Sequence, residues 1–145
     1  MNLKDIKEED EVTKDKSEDK GSSAKRAPFA VWTVDDEDYK LHLRTQDIVI
    51  LEDKLNSNPI NVIMGNGLPS LKVILLIVHQ ATKQYQHGLK FDDIQNIFDK
   101  YCEEGGNQTQ FMTDVVIPLF KCSGFFSGAQ AKAMDQKIEE ADELN

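Results

Sequence analysis

The two stretches YKLHLRTQDIVILEDKLNSNP (residues 39–59) and LPSLKVILLIVH (residues 68–79) decide how this chain folds. In the second, every residue from Leu71 to Val78 except Lys72 is apolar, in a protein of net charge -9. Ser70 is placed to cap a helix over 71–86 whose first two turns are apolar nearly all round. Leu71, Ile74, Leu75 and Val78 make one face, and Val73, Leu76 and Ile77 make much of the other. Such a helix is either central to its domain or partly covered by a partner.

Periodicity on either side of this helix sets its neighbours. Val31 to Val34 and Tyr39 to Leu43 flank the acidic run Asp35, Asp36, Glu37 and Asp38, and Tyr39, Leu41 and Leu43 alternate with Lys40, His42 and Arg44. This predicts a β-hairpin with one buried face. The four acids lack the alternation and closing Glu of a calcium loop, so they read as a solvated turn. After Arg44, Thr45 is a plausible N-cap, and Ile48, Leu51 and Leu55 form an inward helical stripe. Asn56 to Pro59 end that helix, and Pro59 suits the first turn of a short one carrying Ile60, Ile63 and Met64, broken by Gly65 and Gly67.

Beyond residue 86 the chain turns at His87 and Gly88. Phe91, Ile94, Ile97, Phe98 and Tyr101 line a fourth helix that stops at Gly105 and Gly106. A fifth runs from about Gln108 with Phe111, Met112, Val115, Val116, Leu119 and Phe120 on a wide apolar arc. Pro118 lies inside it and is expected to kink it or end it early. Phe125 and Phe126, between glycines, either close the edge of the core or form a docking patch. The expected class is α+β and mostly helical, a hairpin packed on about four to five helices.

Three parts follow from composition. Residues 1–27 hold fifteen charged side chains and no aromatic ring, which is a disordered head by composition, serving as a solvating tail or a partner-binding arm. Residues 28–126 form the domain, and residues 127–145 are a charged, Ala- and Glu-rich tail, frayed or helical. No secretory signal opens the chain and no apolar run reaches the length of a membrane span. The acidic balance and the absence of a basic cluster oppose nucleic-acid binding. Cys102 and Cys122 have no CxxC or metal-ligand spacing and read as reduced, packed side chains.

Nothing assembles into a reactive site. MGNGLPS has glycines but neither a Walker lysine nor GxGxxG spacing, and GxSxG and HExxH are absent. His42, His79 and His87 begin no metal-binding pattern, and His79 reads as a core or boundary residue. The expectation is a protein without catalysis, metal or cofactor.

The two opening stretches resemble the tail assembly chaperones of long-tailed bacteriophages and prophages of Gram-positive bacteria. The resemblance is carried by Tyr39, Lys40, Leu41, Leu43, Arg44 and Thr45, then Leu51, Glu52, Lys54, Leu55, Asn58 and Pro59, and finally Leu68, Pro69, Ser70, Leu71 and His79. Its general layout spans residues 38–125. It implies a partner, the tape measure protein, with tail tube subunits recruited as the tube grows, in the host bacterial cytoplasm and not in the mature virion. The family offers no catalytic residues to carry over. The client-binding residues expected on this reading are Leu71, Ile74, Leu75, Val78, Val115, Leu119, Phe120, Phe125 and Phe126, building both core and part of a groove. Self-association is compatible with the two-sided helix, as is a buried monomer core. The competing classes are a tail adaptor or connector retained in the virion and a host-directed acidic binding protein.

Overall fold

The computed structural model describes residues 25–65 and 67–133. They fall into two compact units, residues 27–125 and the flanking residues, each described by itself. The expected disordered head, residues 1–27, lies almost wholly outside the described residues, as do residues 134–145 of the tail.

The larger unit opens with strands β1 (Ala30–Val34) and β2 (Glu37–Leu41), antiparallel in the register Val34↔Glu37 to Ala30↔Leu41. Asp35 and Asp36 both have positive φ, 55° and 64°, so two residues make the turn, in a conformation that matches strand twist. The turn is therefore tighter than the four-acid run suggested, and Glu37 and Asp38 already belong to β2. Ala30, Trp32 and Val34 point inward while Val31 and Thr33 face out, the period-two pattern expected of a strand with one covered face.

Six α-helices follow in this unit: α1 (Thr45–Leu55), α2 (Ile60–Met64), α3 (Leu71–Thr82), α4 (Phe91–Glu103), α5 (Gln108–Phe111) and α6 (Ile117–Cys122). The α+β, mostly helical class is thus the observed one. Between α5 and α6 the chain does not stop at Pro118. Residues Met112–Val116 form a π-helical segment in which the Ile117 N–H reaches back five residues to the Met112 carbonyl. The extra residue in that turn carries the helix past a proline that has no N–H to donate. The expected early end is replaced by a change of helical pitch.

The core lies where these elements meet. Trp32, 1 % exposed, is ringed by Phe111, Tyr101 and Tyr39 at centroid distances of 4.9, 6.0 and 6.1 Å, and Phe98 meets Phe111 edge to face at 5.1 Å. The hairpin is fastened by side chains as well as packing. Gln86 donates to the Lys40 carbonyl and accepts from its N–H, at 2.8 and 2.7 Å, and so mimics a further strand along β2. The His42 N–H reaches the Ala81 carbonyl and the Leu43 N–H the Ser123 hydroxyl, each at 3.0 Å.

In the flanking unit, residues 128–133 are helical. Ser127 and Gln130 cap the helix reciprocally: the Gln130 N–H donates to Ser127 Oγ at 3.1 Å and the Ser127 N–H to Gln130 Oε1 at 2.9 Å.

Candidate functional site

The start of α1 is organised by one buried carboxylate. Asp47, 1 % exposed, accepts from the Arg44 N–H at 2.9 Å, from Arg44 Nε at 2.8 Å and from the Arg44 terminal nitrogen at 3.1 Å. Its other lone pairs take Gln80 Nε2 of α3 at 2.8 Å. Arg44 therefore occupies the cap position that the sequence assigned to Thr45, and Asp47 does the capping. Burial pulls the Asp47 pKa upward. The hydrogen bonds from Arg44 and Gln80 and the Arg44 charge outweigh it and hold the carboxyl below its ordinary value.

This cluster also sets the seam between α1 and α3, which pack against each other. Spacings of three, four and seven residues put Ile50, Leu51 and Lys54 on the flank of α1 that carries Asp47. The same spacings put Val73, Leu76 and Ile77 on the flank of α3 that carries Gln80. Leu51 and Ile77 are fully buried and fill the seam. Ile50 is 40 % exposed and Val73 and Leu76 are half-buried, so they form its outer lip. Among the described residues, four of the five exposed large apolar side chains, Val49, Ile50, Met64 and Leu68, fall between residues 49 and 68. The fifth, Val31, is on the hairpin.

The residues expected to bind a client are placed mainly elsewhere. Ile74, Leu75, Val78, Val115, Leu119, Phe120 and Phe126 are all buried, the first six in the core of the larger unit. Leu71 is half-buried, as is Phe125, whose ring lies 4.5 Å from that of Phe120. For the seven buried residues a groove lined by them needs correction, because their surface is already covered within the chain, whereas Leu71 and Phe125 keep part of theirs open. The available apolar surface includes the other side of α3, Val73 and Leu76, together with Val49, Ile50, Met64 and Leu68. Sequence reasoning noted Val73 and Leu76 but missed Ile50. The signal was there: Val49 and Ile50 are the apolar residues of α1 left over once Ile48, Leu51 and Leu55 are assigned to the core.

Other chemistry-bearing side chains are satisfied or isolated. His79 Nε2 donates to the Leu89 carbonyl at 2.8 Å, which makes it the boundary residue expected. Cys122 is buried and its thiol is pushed up by burial, but Cys102 is exposed on α4, contrary to the expectation that both are packed. An open cleft of about 240 Å³ beside the hairpin turn is lined by Asp35, Glu37, Tyr39, Asp93 and Lys100 among others. Burial and then the Glu37 and Asp35 charges raise the Tyr39 pKa, so its phenol stays protonated. Among the described residues no group of three His, Cys, Asp or Glu could hold a metal ion, and no helix is long and apolar enough to cross a membrane.

Residues 25–145 match the model of a family described as "Family of unknown function (DUF6096)". The chain belongs to that family. The match takes in every described element of this DUF6096 protein, the hairpin, the α1–α3 seam and the capped helix after Ser127 included. No curated protein and no solved structure matches the chain.

Proposed function

We propose that this DUF6096 protein is a phage tail assembly chaperone, a binding protein without catalytic chemistry that keeps the tape measure protein soluble and helps recruit tail tube subunits during tail morphogenesis. It acts in the host bacterial cytoplasm and leaves before the virion is complete. The resemblance in residues 39–59 and 68–79 supplies the process and the partner. The observation that carries the physical side is the concentration of uncovered apolar side chains on α1, α2 and the outer side of α3, beside a core that is otherwise closed.

A tape measure protein is long, helical and rich in apolar residues, and needs cover until the tube polymerises around it. At about 25 cal/mol per Å², burying a few hundred Å² on each copy yields several kcal/mol before the costs of association. Binding of that strength is reversible, so many copies can coat one client and be displaced as the tube grows. The net charge of -9 keeps the coated assembly dispersed. Copies that line up along one client are also free to touch each other, which is the self-association compatible with this reading.

The test is co-expression with the long, coiled-coil-rich protein expected to be encoded directly downstream. Soluble client in the presence of the chain and aggregated client in its absence is the expected result. Client that is equally soluble without the chain would refute the reading. Mass spectrometry of purified virions separates the remaining class, since a chain retained in finished tails is an adaptor and not a chaperone.

A further inference from the structure

We infer that two copies of the chain join through β1, edge to edge and antiparallel, so that their hairpins become one continuous sheet. The inference goes beyond the chaperone reading and does not depend on it. It starts from the backbone groups that the hairpin leaves over. In an antiparallel pair, successive residues alternate between bonding to the partner strand and facing away from it. Val34 and Glu37 close a two-residue turn, so Val34, Trp32 and Ala30 bond to β2, and the N–H and C=O groups of Val31 and Thr33 face away. Among the described residues none of these outward groups has a hydrogen-bond partner.

The neighbouring positions on the rim are closed or too short to pair. On β2 both outward groups of Lys40 are taken by Gln86, at 2.7 and 2.8 Å, which leaves Asp38 as a single charged position. On β1 the next outward N–H, that of Asp35, is taken by Glu104 Oε2 at 2.7 Å. The open stretch is therefore Val31 to Thr33, centred on Trp32. Exposed edges are commonly blunted by a charge, a proline or a bulge. β1 reads AVWTV and has none of these, and Val31 on its outer face is 43 % exposed.

A second copy fits this edge because the edge is complementary to itself. Pairing about Trp32 sets Val31 of each copy against Thr33 of the other, so every open donor meets an open acceptor across a two-fold axis. Charge selects the same direction. This register sets Asp35 opposite Phe29 of the other copy, and Lys40 Nζ stands 4.8 Å from the Phe29 ring with no ion pair among the described residues. The chain reaches Phe29 through Lys25 and Arg26, with no acid from there to Val34. The turn end carries Asp35, Asp36, Glu37, Asp38 and Glu104, against Lys100 at 3.6 Å from Asp35. Antiparallel pairing lays this acidic end beside the basic end of the other copy, whereas parallel pairing would lay acid beside acid.

A contact made by one short strand lies at the weak end of interfaces, so the experiment follows the full chain from micromolar to millimolar concentration. Sedimentation equilibrium is expected to show a dimer filling as concentration rises. Amide exchange read by NMR is expected to slow at Val31 and Thr33 over the same range, while Trp32 and Val34, already paired with β2, are protected throughout. Val31→Pro removes an outward donor from each copy and no bond of the hairpin, and is expected to weaken the dimer by about tenfold or more. Retained protection at Val34 shows that this variant keeps its hairpin. Lys40→Glu, which leaves the edge intact, is expected to weaken the dimer by about threefold through the charge at its end. A chain that stays monomeric at every concentration, or a dimer in which Val31 and Thr33 exchange as fast as in the monomer, would overturn the inference. The chaperone reading fails separately, since a tape measure protein that is equally soluble without the chain refutes it whether or not the chain dimerises.

Discussion

The aromatic cluster under the hairpin and the α1–α3 seam are built from similarly apolar sequence, yet one is closed and the other is left partly open. Trp32 has rings from β2, α4 and α5 about it and is 1 % exposed, whereas Ile50 is 40 % exposed with Val73 and Leu76 half-buried beside it. The difference lies in how many elements converge. Three bring rings to Trp32, while the seam is a junction of two helices with solvent on its outer side. Apolar character alone therefore does not mark the core of this protein; the number of neighbouring elements does.

The sharpest way to break that contrast is to empty the closed region. Trp32→Ala removes the ring on which Phe111, Tyr101 and Tyr39 converge, and a loss of about 3–5 kcal/mol is expected in denaturant unfolding. A loss under about 1 kcal/mol would mean that the cluster is not the stability centre. Gly106 gives a second probe of the same region. A Cβ there would come within 2.3 Å of the Tyr101 ring, so Gly106→Ala has to displace an aromatic side chain already wedged against Trp32, Phe98 and Phe111. The expected cost is about 1–3 kcal/mol, measured as a lowered urea midpoint with an unchanged slope.

At the seam the expected stability effects are smaller and depend on pH. Asp47→Asn keeps the shape but removes the charge that Arg44 faces, and should cost about 1–3 kcal/mol at neutral pH. Because the Asp47 pKa is lower in the folded chain than in the unfolded one, its contribution is complete above the ordinary carboxylate pKa and is lost as pH falls through the lower folded value. Parent and variant should therefore converge in stability in acid, and a gap that persists at low pH would contradict this account. Smallest of all, Ile50→Asp should change stability by no more than about 0.5 kcal/mol, since the side chain is already 40 % exposed. The same substitution at a closed position such as Ile77 should unfold the domain.

How much of this was legible in the sequence follows the same division. The hairpin face, the α4 stripe ending at Gly105, and the inner side of α3 are all fixed by local periodicity, and each is found where the alternation or the helical spacing puts it. Three features depend on what local pattern does not contain. Asp47 takes over the capping expected of Thr45 because Gln80, 33 residues away, supplies it with a further partner. Pro118 is absorbed by a π-helical turn because Val115, Val116 and Leu119 on both sides of it are all drawn into the core. The expected client-binding residues lie mostly in the interior because an apolar helix with two greasy sides does not say which side its own domain covers. Here the domain covers Ile74, Leu75 and Val78 and leaves Val73 and Leu76 at the lip.

The most direct test of the central claim is the soluble fraction of the tape measure protein co-expressed with the parent chain, with Ile50→Asp and with no chain at all. The account predicts soluble client with the parent, and client lost to the pellet with Ile50→Asp although that variant is folded, as it is when the chain is absent. Client that stays soluble in all three cultures would contradict it.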